Sequence, residues 1–173
     1  MDINDIPPLP PSKVGEKLIF SVIWKTRTHR SFLTSLWLRE FERTPFFFNM
    51  FAHVLPKALN KYPHFRFYYK NIVLLTPGEH ALYDQGTEKE RISYSQDVEK
   101  RSGGKITANW AGLEALADDL KEEYRKYFPT RRGLIIGYKY DLDEVQHIVG
   151  MLNAKYMEDL KNSLSLKKMN PDG

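Results

Sequence analysis

The alternation of apolar and polar positions divides the chain into eight or nine segments. Residues 17–26, KLIFSVIWKT, are rich in β-branched and aromatic side chains and predict a strand. From Ser31 the pattern turns helical: Phe32, Leu33, Leu36, Trp37 and Phe41 recur at helix spacing, with Ser31 able to cap the start. Thr44-Pro45 has the form of an N-cap followed by proline at the first helical position. It opens FFFNMFAHVLPKALNKY, which is apolar around nearly its whole circumference and predicts a buried helix, kinked at Pro56 and ended by Tyr62-Pro63. Residues 64–75, HFRFYYKNIVLL, predict a strand or two strands bent near Lys70-Asn71. Thr76-Pro77-Gly78 is a turn, HALYDQ and RISYSQ are weaker strand candidates separated by GTEKE, and RSGGK is a loop. Between Thr107 and Phe128 the stripe Trp110, Leu113, Ala117, Leu120, Tyr124 and Tyr127 predicts an amphipathic helix. GLIIGYKY, residues 133–140, predicts a strand. Asp141 and Glu144 then have capping-box spacing at the start of a last helix with Val145, Ile148, Val149, Leu152 and Tyr156 on one face.

The order is β-α-α-β, a few strands, then α-β-α, which predicts an α+β layer architecture with helices on a sheet. At 173 residues the chain fits one domain. We expect a proline-rich arm over 1–14, with Ile6-Pro7-Pro8-Leu9-Pro10-Pro11 in polyproline II, a single domain over 15–162, and a flexible tail over 163–173. Hydrophobic content of 42% with 28% charged residues is ordinary for a globular protein, and 13% aromatics argues against disorder. The absence of cysteine excludes disulfides, thiolate zinc sites and a Cys nucleophile. No apolar run is long enough to span a membrane, the first residues lack a secretory apolar region, and the expected compartment is cytoplasmic.

Charge is uneven. Residues 1–75 carry 11 Lys/Arg against 5 Asp/Glu, a balance of +6, while the remainder carries 15 against 17, a balance of −2. The basic half permits phosphate-rich partners. Its densest basic and aromatic cluster is Trp24-Lys25-Thr26-Arg27-Thr28-His29-Arg30, continued by Arg39 and Arg43. Alternating rings and cations bind single-stranded nucleic acid by stacking and charge, and the same pattern also describes a strand end running into a solvated helix face. Gly103-Gly104-Lys105 fails the phosphate-loop pattern twice, at Glu99 and Ile106, and reads as a loop before a helix. Asp141, Asp143 and Glu144 have the chemistry for a hard cation, but at a helix start they read as caps. His29, His53, His64, His80 and His147 form neither HxxxH nor HExxH, so no metal site is expected.

Three stretches in order resemble the chloramphenicol acetyltransferase superfamily, whose catalytic domain is shared with the E2 acyltransferases of 2-oxo-acid dehydrogenases. The first runs from Leu18–Thr26 through PFFFNMFAHVLPKALNKYPHFRF, where Asn60, Pro63, Phe65 and Arg66 fill a pattern like N-x-x-P-x-F-R. The second is the Leu113–Tyr127 helix, and the third is GLIIGYKYDLDEVQHIVGMLNAKYMEDL. The resemblance implies an α+β two-layer sandwich of helices on a mixed sheet, CoA-dependent acyltransferase-like. It also implies an acyl-CoA or acyl-carrier ligand, a CoA thioester as the cosubstrate, and a homo-oligomer, trimeric if the family assembly holds. The apolar run Phe46–Phe51 independently suggests self-association. The family signature His-His-x-x-x-Asp-Gly is not kept: Tyr138 and Lys139 stand at the two His, Asp143 at the Asp and Glu144 at the Gly. Lysine of ordinary pKa is a poor general base at pH 7. The catalytic candidates are therefore Lys139 and Asp143, with His147 the nearest alternative base, and the expected protein is a non-catalytic or weakly active binding or assembly subunit. The alternative is a small basic α/β module that binds nucleic acid through Trp24–Arg43, with Trp24, Lys25, Arg27 and Arg30 in contact.

Overall fold

The computed structural model describes residues 13–58, 61–62, 65–127, 147, 150–155 and 158. Residues 1–12 of the proline-rich arm, the 133–140 strand and the 163–173 tail lie outside the described residues.

The first element corrects the strand expected at 17–26: Lys13–Thr26 is a helix, α1. Composition pointed to a strand, but spacing prevails. Glu16, Ile19, Phe20, Ile23 and Trp24 are buried at i, i+3, i+4, i+7 and i+8, while Lys17, Ser21, Val22 and Lys25 face solvent. A strand would have turned Ile19 and Phe20 to opposite faces. Glu16 in the first turn and Lys25 in the last also suit the helix dipole.

Among the described residues, neither helix expected between Ser31 and Tyr62 forms. Ser31 does cap a turn, its Oγ accepting from the Leu33 and Thr34 N–H groups at 3.1 and 3.3 Å. The turn stops there, because Ser35 has φ 60° and the chain folds back to bridge Arg30 with Trp37. Two short 3-10 turns follow, Arg39–Phe41 and Phe47–Met50. The all-round apolar run then becomes strand β1, Phe51–His53, antiparallel to β2, Ile72–Leu74, with Phe51 opposite Leu74 and His53 opposite Ile72. A third 3-10 turn, Tyr69–Asn71, leads into β2.

This two-stranded sheet, the sheet among the described residues, explains why a run that is apolar on every side need not be a helix. It separates two cores. Met50, Phe51, Ile72 and Leu74 face α1, joining Ile19, Phe20, Ile23, Trp24, Leu38 and Tyr69. Ala52, Val73 and Leu75 face the other way, toward Leu113, Leu120 and Tyr124. Period-2 alternation sorts residues between two apolar layers instead of between core and water. Where β1 ends, the buried Asn71 carboxamide replaces the ladder. It accepts from the Leu55 N–H at 2.8 Å and donates to the Leu55 and Phe65 carbonyls at 3.1 Å each.

The two strands expected at HALYDQ and RISYSQ are helices, α2 over Pro77–Gln85 and α3 over Glu88–Arg101. Each opens on a complete capping box, Thr76 with Glu79 and Thr87 with Glu90, and Pro77 occupies the first turn of α2. Gly103 and Gly104, at φ 63° and 80°, end α3 in a conformation that side-chain-bearing residues rarely adopt, so RSGGK is a loop as expected. Helix α4, Trp110–Tyr127, follows the predicted stripe. Residues 147, 150–155 and 158 are helical, as expected for the last helix. Leu152 enters the α4-side core, and Asn153 clamps the chain before β2, accepting from the Tyr69 N–H at 2.7 Å and donating to the Phe67 carbonyl at 3.0 Å. The fold is thus mixed helix and small antiparallel sheet, in agreement with the α+β class.

Candidate functional site

Of the catalytic candidates, Lys139 and Asp143 lie outside the described residues, and His147 is an exposed helical residue. The described surface richest in chemistry is instead the edge formed by the end of α1 and the loop 27–43.

The structure places the four nucleic-acid candidates differently from one another. Trp24 is buried: its ring lies parallel to His29 with centroids 3.7 Å apart, meets Phe47 edge-on at 5.4 Å, and gives its indole N–H to Glu42 Oε1 at 3.1 Å. It is a core residue, which corrects its assignment as a stacking platform. Arg27 turns inward to close the outer edge of β2, donating to the Ile72 carbonyl and, at 2.7 Å, to the Tyr69 carbonyl. Its guanidinium also lies 4.5 Å from the Tyr69 ring centroid. Lys25 and Arg30 are exposed.

Trp37, which sequence reasoning had placed on a helix face, is the exposed ring of this edge, at 51% exposure. The Arg30 guanidinium sits 3.7 Å from its centroid and that of Arg39 5.6 Å. Arg30 is held by a 2.8 Å bond to the Ser35 carbonyl. Phe32 and Leu36 of the same loop are also exposed, as is the basic Arg43 that follows it.

The loop that presents Trp37 is fixed from beneath by Glu79, another residue the sequence reading missed. Glu79 is fully buried, and its carboxylate accepts four hydrogen bonds: from Ser31 Oγ and Thr34 Oγ1 at 2.5 Å each, and from Tyr94 Oη and the Thr76 N–H at 2.8 Å each. Burial, followed by the Glu79 charge, raises the Tyr94 pKa, which keeps its hydroxyl a donor. Between Ser31 and Thr34, Leu33 inserts into the core and its carbonyl accepts from the Asn109 N–H at 2.8 Å. The spacing Thr76-x-x-Glu79 was the available signal for this residue.

A second polar cluster lies at the start of α1. Glu16 is paired with Lys57 and, at 3.2 Å, with Arg66, and His53 Nε2 stands 3.8 Å from it. Burial pushes the Glu16 pKa up, but the bonds and charges of Arg66 and Lys57 outweigh it and the net shift is downward. His53 is pushed down to about 4, by burial first and by Lys57 second, and its Nε2 contacts the Arg66 carbonyl at 2.8 Å.

Among the described residues no group of three or more His, Asp or Glu is arranged to hold a metal ion, and no helix is long and apolar enough to cross a membrane. Compared with known proteins, the chain matches no family model, no curated protein and no solved structure.

Proposed function

We propose that this chain is a non-catalytic binding module that takes single-stranded nucleic acid along the Lys25–Arg43 edge. The observation that carries the reading is the exposed Trp37 ring flanked by the Arg30 and Arg39 guanidinium groups. Planar side chains stack on bases of any identity, and guanidinium groups answer the phosphates. Trp37 takes the stacking role that Trp24 cannot, and the Glu79 clasp holds the loop in place before the ligand arrives.

The test is fluorescence anisotropy with labelled oligothymidine and oligouridine. Binding is expected at low salt and largely lost at physiological salt. With Lys25, Arg30, Arg39 and Arg43 as the phosphate contacts, the log–log salt slope should be about −3. Trp37→Ala should weaken binding by about tenfold or more, given ~1–3 kcal/mol per stacked base. Absence of binding at low salt, or equal binding by Trp37→Ala, overturns the reading.

The acyltransferase relationship, with its two-layer sandwich on a mixed sheet and trimeric assembly, is a second proposal supported by the sequence pattern. Of that pattern, Phe65 is fully buried and Arg66 is ion-paired to Glu16. Under this reading the chain is a non-catalytic or weakly active binding or assembly subunit. A thiol-release assay with acetyl-CoA should stay at background, and sedimentation should give a trimer; a monomer with turnover abolished by Lys139→Ala reverses both expectations.

A further inference from the structure

We infer that α1 and the part of the Trp37 loop packed on it form one unit that acid releases through the cluster of Glu16, His53, Lys57 and Arg66, while the Glu79 clasp stays closed. Its consequence for binding rests on the nucleic-acid reading of the Lys25–Arg43 edge; the release itself does not. The loop has two supports. Residues 31–34 belong to the clasp, and Phe32 adds an N–H bond to the Leu74 carbonyl at 2.8 Å. The chain on either side of them belongs to α1. The His29 ring stacks on Trp24 and its Nε2 bonds the Trp24 carbonyl at 2.7 Å. The Leu38 N–H donates to the His29 carbonyl at 3.0 Å, Leu38 and Phe41 pack in the α1 core, and Glu42 accepts from the Trp24 indole. Release of α1 therefore frees the segments that carry Arg30 and Arg39 and undoes their arrangement around Trp37.

Helix α1 is held from one side. Lys17, Ser21, Val22 and Lys25 face solvent, and Glu16 ties the first turn to Lys57 and Arg66. His53, on β1, stands directly behind this tether with 10% of its side chain exposed. Its Nε2 lies 2.8 Å from the Arg66 carbonyl, a contact that a neutral ring donating from Nε2 satisfies, and its ring meets Phe20 of α1 edge-on at 6.2 Å. The charged groups around it are Glu16 of α1, Lys57 and Arg66 from the segments after β1, and His80 of α2, which is paired with Asp84 at 3.1 Å. Glu16 is already shared by two cations, so a proton on His53 sets a third cation against one carboxylate in a site with little water. Moving α1 away lets water reach the ring and relieves that cost. The clasp has no such group among its donors, which are hydroxyls and one backbone N–H.

The test is amide hydrogen exchange, followed by NMR on the full chain at pH 7 and pH 5 and corrected for the intrinsic rate at each pH. The Ile23 and Leu38 amides should share one protection factor, at least about tenfold below that of Phe32. That factor should fall about 20-fold from pH 7 to pH 5, the linkage of a histidine whose pKa is about 4 with α1 docked and 6.5 with α1 released. His53→Gln should abolish the fall. Lys57→Met, which changes a half-exposed side chain, should reduce it several-fold by removing a cation that faces His53. Oligothymidine at about ten times its Kd should raise the protection of Ile23 and Leu38 together by about tenfold, because it binds the closed edge. Equal protection of Ile23, Leu38 and Phe32, no fall with acid, or a fall that persists in full in His53→Gln or Lys57→Met overturns the inference. If oligothymidine fails to bind, the proposed function fails and the exchange data still decide the release. If it binds and leaves Ile23 and Leu38 unchanged, the coupling of α1 to the edge is overturned.

Discussion

Glu79 and Glu16 are both buried carboxylates, and they are satisfied by opposite chemistry. Glu79 gathers three hydroxyls and one backbone N–H, drawn from the 31–34 loop, the start of α2 and α3. Glu16 gathers the side chains of Lys57 and Arg66, with His53 beside them. The first arrangement has geometry without counter-charge: the Ser31 and Thr34 hydroxyls are short and buried, and the Tyr94 hydroxyl and the Thr76 N–H reach the fully buried carboxylate from partly buried positions. The second has counter-charge from longer side chains; 33% of the Arg66 side chain and 43% of that of Lys57 remain exposed. The two regions should therefore answer differently to mutation, acid and salt. The clasp under the Trp37 loop should be strong and indifferent to ionic strength. The α1 anchor should be weaker and sensitive to pH.

Removing Glu79 gives the largest expected effect. Glu79→Ala strands the hydroxyls of Ser31, Thr34 and Tyr94 without their acceptor. Each orphaned donor costs ~1–3 kcal/mol, less than additively because they share one site, so a loss of about 4 kcal/mol is expected. Urea unfolding reads this as a lower midpoint with an unchanged slope. Tyr94→Phe, which deletes one donor and leaves the carboxylate three, should cost about 1 kcal/mol. A Glu79→Ala loss below ~1 kcal/mol would mean that the clasp is not what fixes the loop.

The same comparison shows what could be read before the structure. Thr76-x-x-Glu79 and Thr87-x-x-Glu90 carry the spacing of helix starts, although the apolar content of HALYDQ and RISYSQ is also that of short strands. Local capping chemistry was the better guide there. In α1, Glu16 falls in register with Ile19, Phe20, Ile23 and Trp24, but a polar residue on an apolar stripe is informative only once Lys57 and Arg66 are known to face it. Those partners lie 41 and 50 positions away, and no local pattern encodes that distance. The α4 stripe was legible because its burial is one-sided. The run around Phe51 was not, because a strand buried on both faces and a fully buried helix have the same apolar signature. The prominence of Trp37 over Trp24 was equally hidden, since it depends on Ser35 reversing the chain.

Acid should act on the α1 anchor next. His53 has a folded pKa of about 4 against an ordinary value of 6.5. Between those two pH values the unfolded chain holds a proton that the folded chain does not, so stability falls as pH falls through that window, by about 3 kcal/mol in all. Glu16, whose pKa is lowered, adds its own loss as pH drops further below the ordinary carboxylate value. His80 acts with the opposite sign. Burial pushes its pKa down, but the Asp84 carboxylate at 3.1 Å and the Asn49 carbonyl at 2.7 Å outweigh this and raise it. Its contribution is full below the ordinary histidine value and is lost as pH rises through its folded value. Urea midpoints measured from pH 7 to pH 4.5 should fall steadily for the parent and much less for His53→Gln. A parent midpoint that is flat across this range would separate His53 from the stability of the α1 anchor.

The smallest expected effect belongs to Lys57. Its ammonium pairs with Glu16 Oε1, but 43% of the side chain is exposed and Arg66 holds the second carboxylate oxygen. Water and salt screen such a pair, and exposed ion pairs typically contribute ~0–1 kcal/mol. Lys57→Met should therefore lower stability by about 0.5 kcal/mol. A double-mutant cycle with Glu16→Gln should give a coupling below about 1 kcal/mol that shrinks further in 0.5 M sodium chloride, because the screening length there falls to roughly 4 Å. The same salt should leave the cost of Tyr94→Phe unchanged, since its neutral hydroxyl bonds a carboxylate that is fully buried. Arg66 should matter more than Lys57 despite having one buried nitrogen, Nε, with no hydrogen-bond partner. Its backbone carbonyl meets His53 and its side chain meets Glu16, so it joins the two groups that dock α1 against the strand. A salt-independent coupling of several kcal/mol between Lys57 and Glu16 would erase the distinction between the two carboxylates and make the α1 anchor a second rigid clasp.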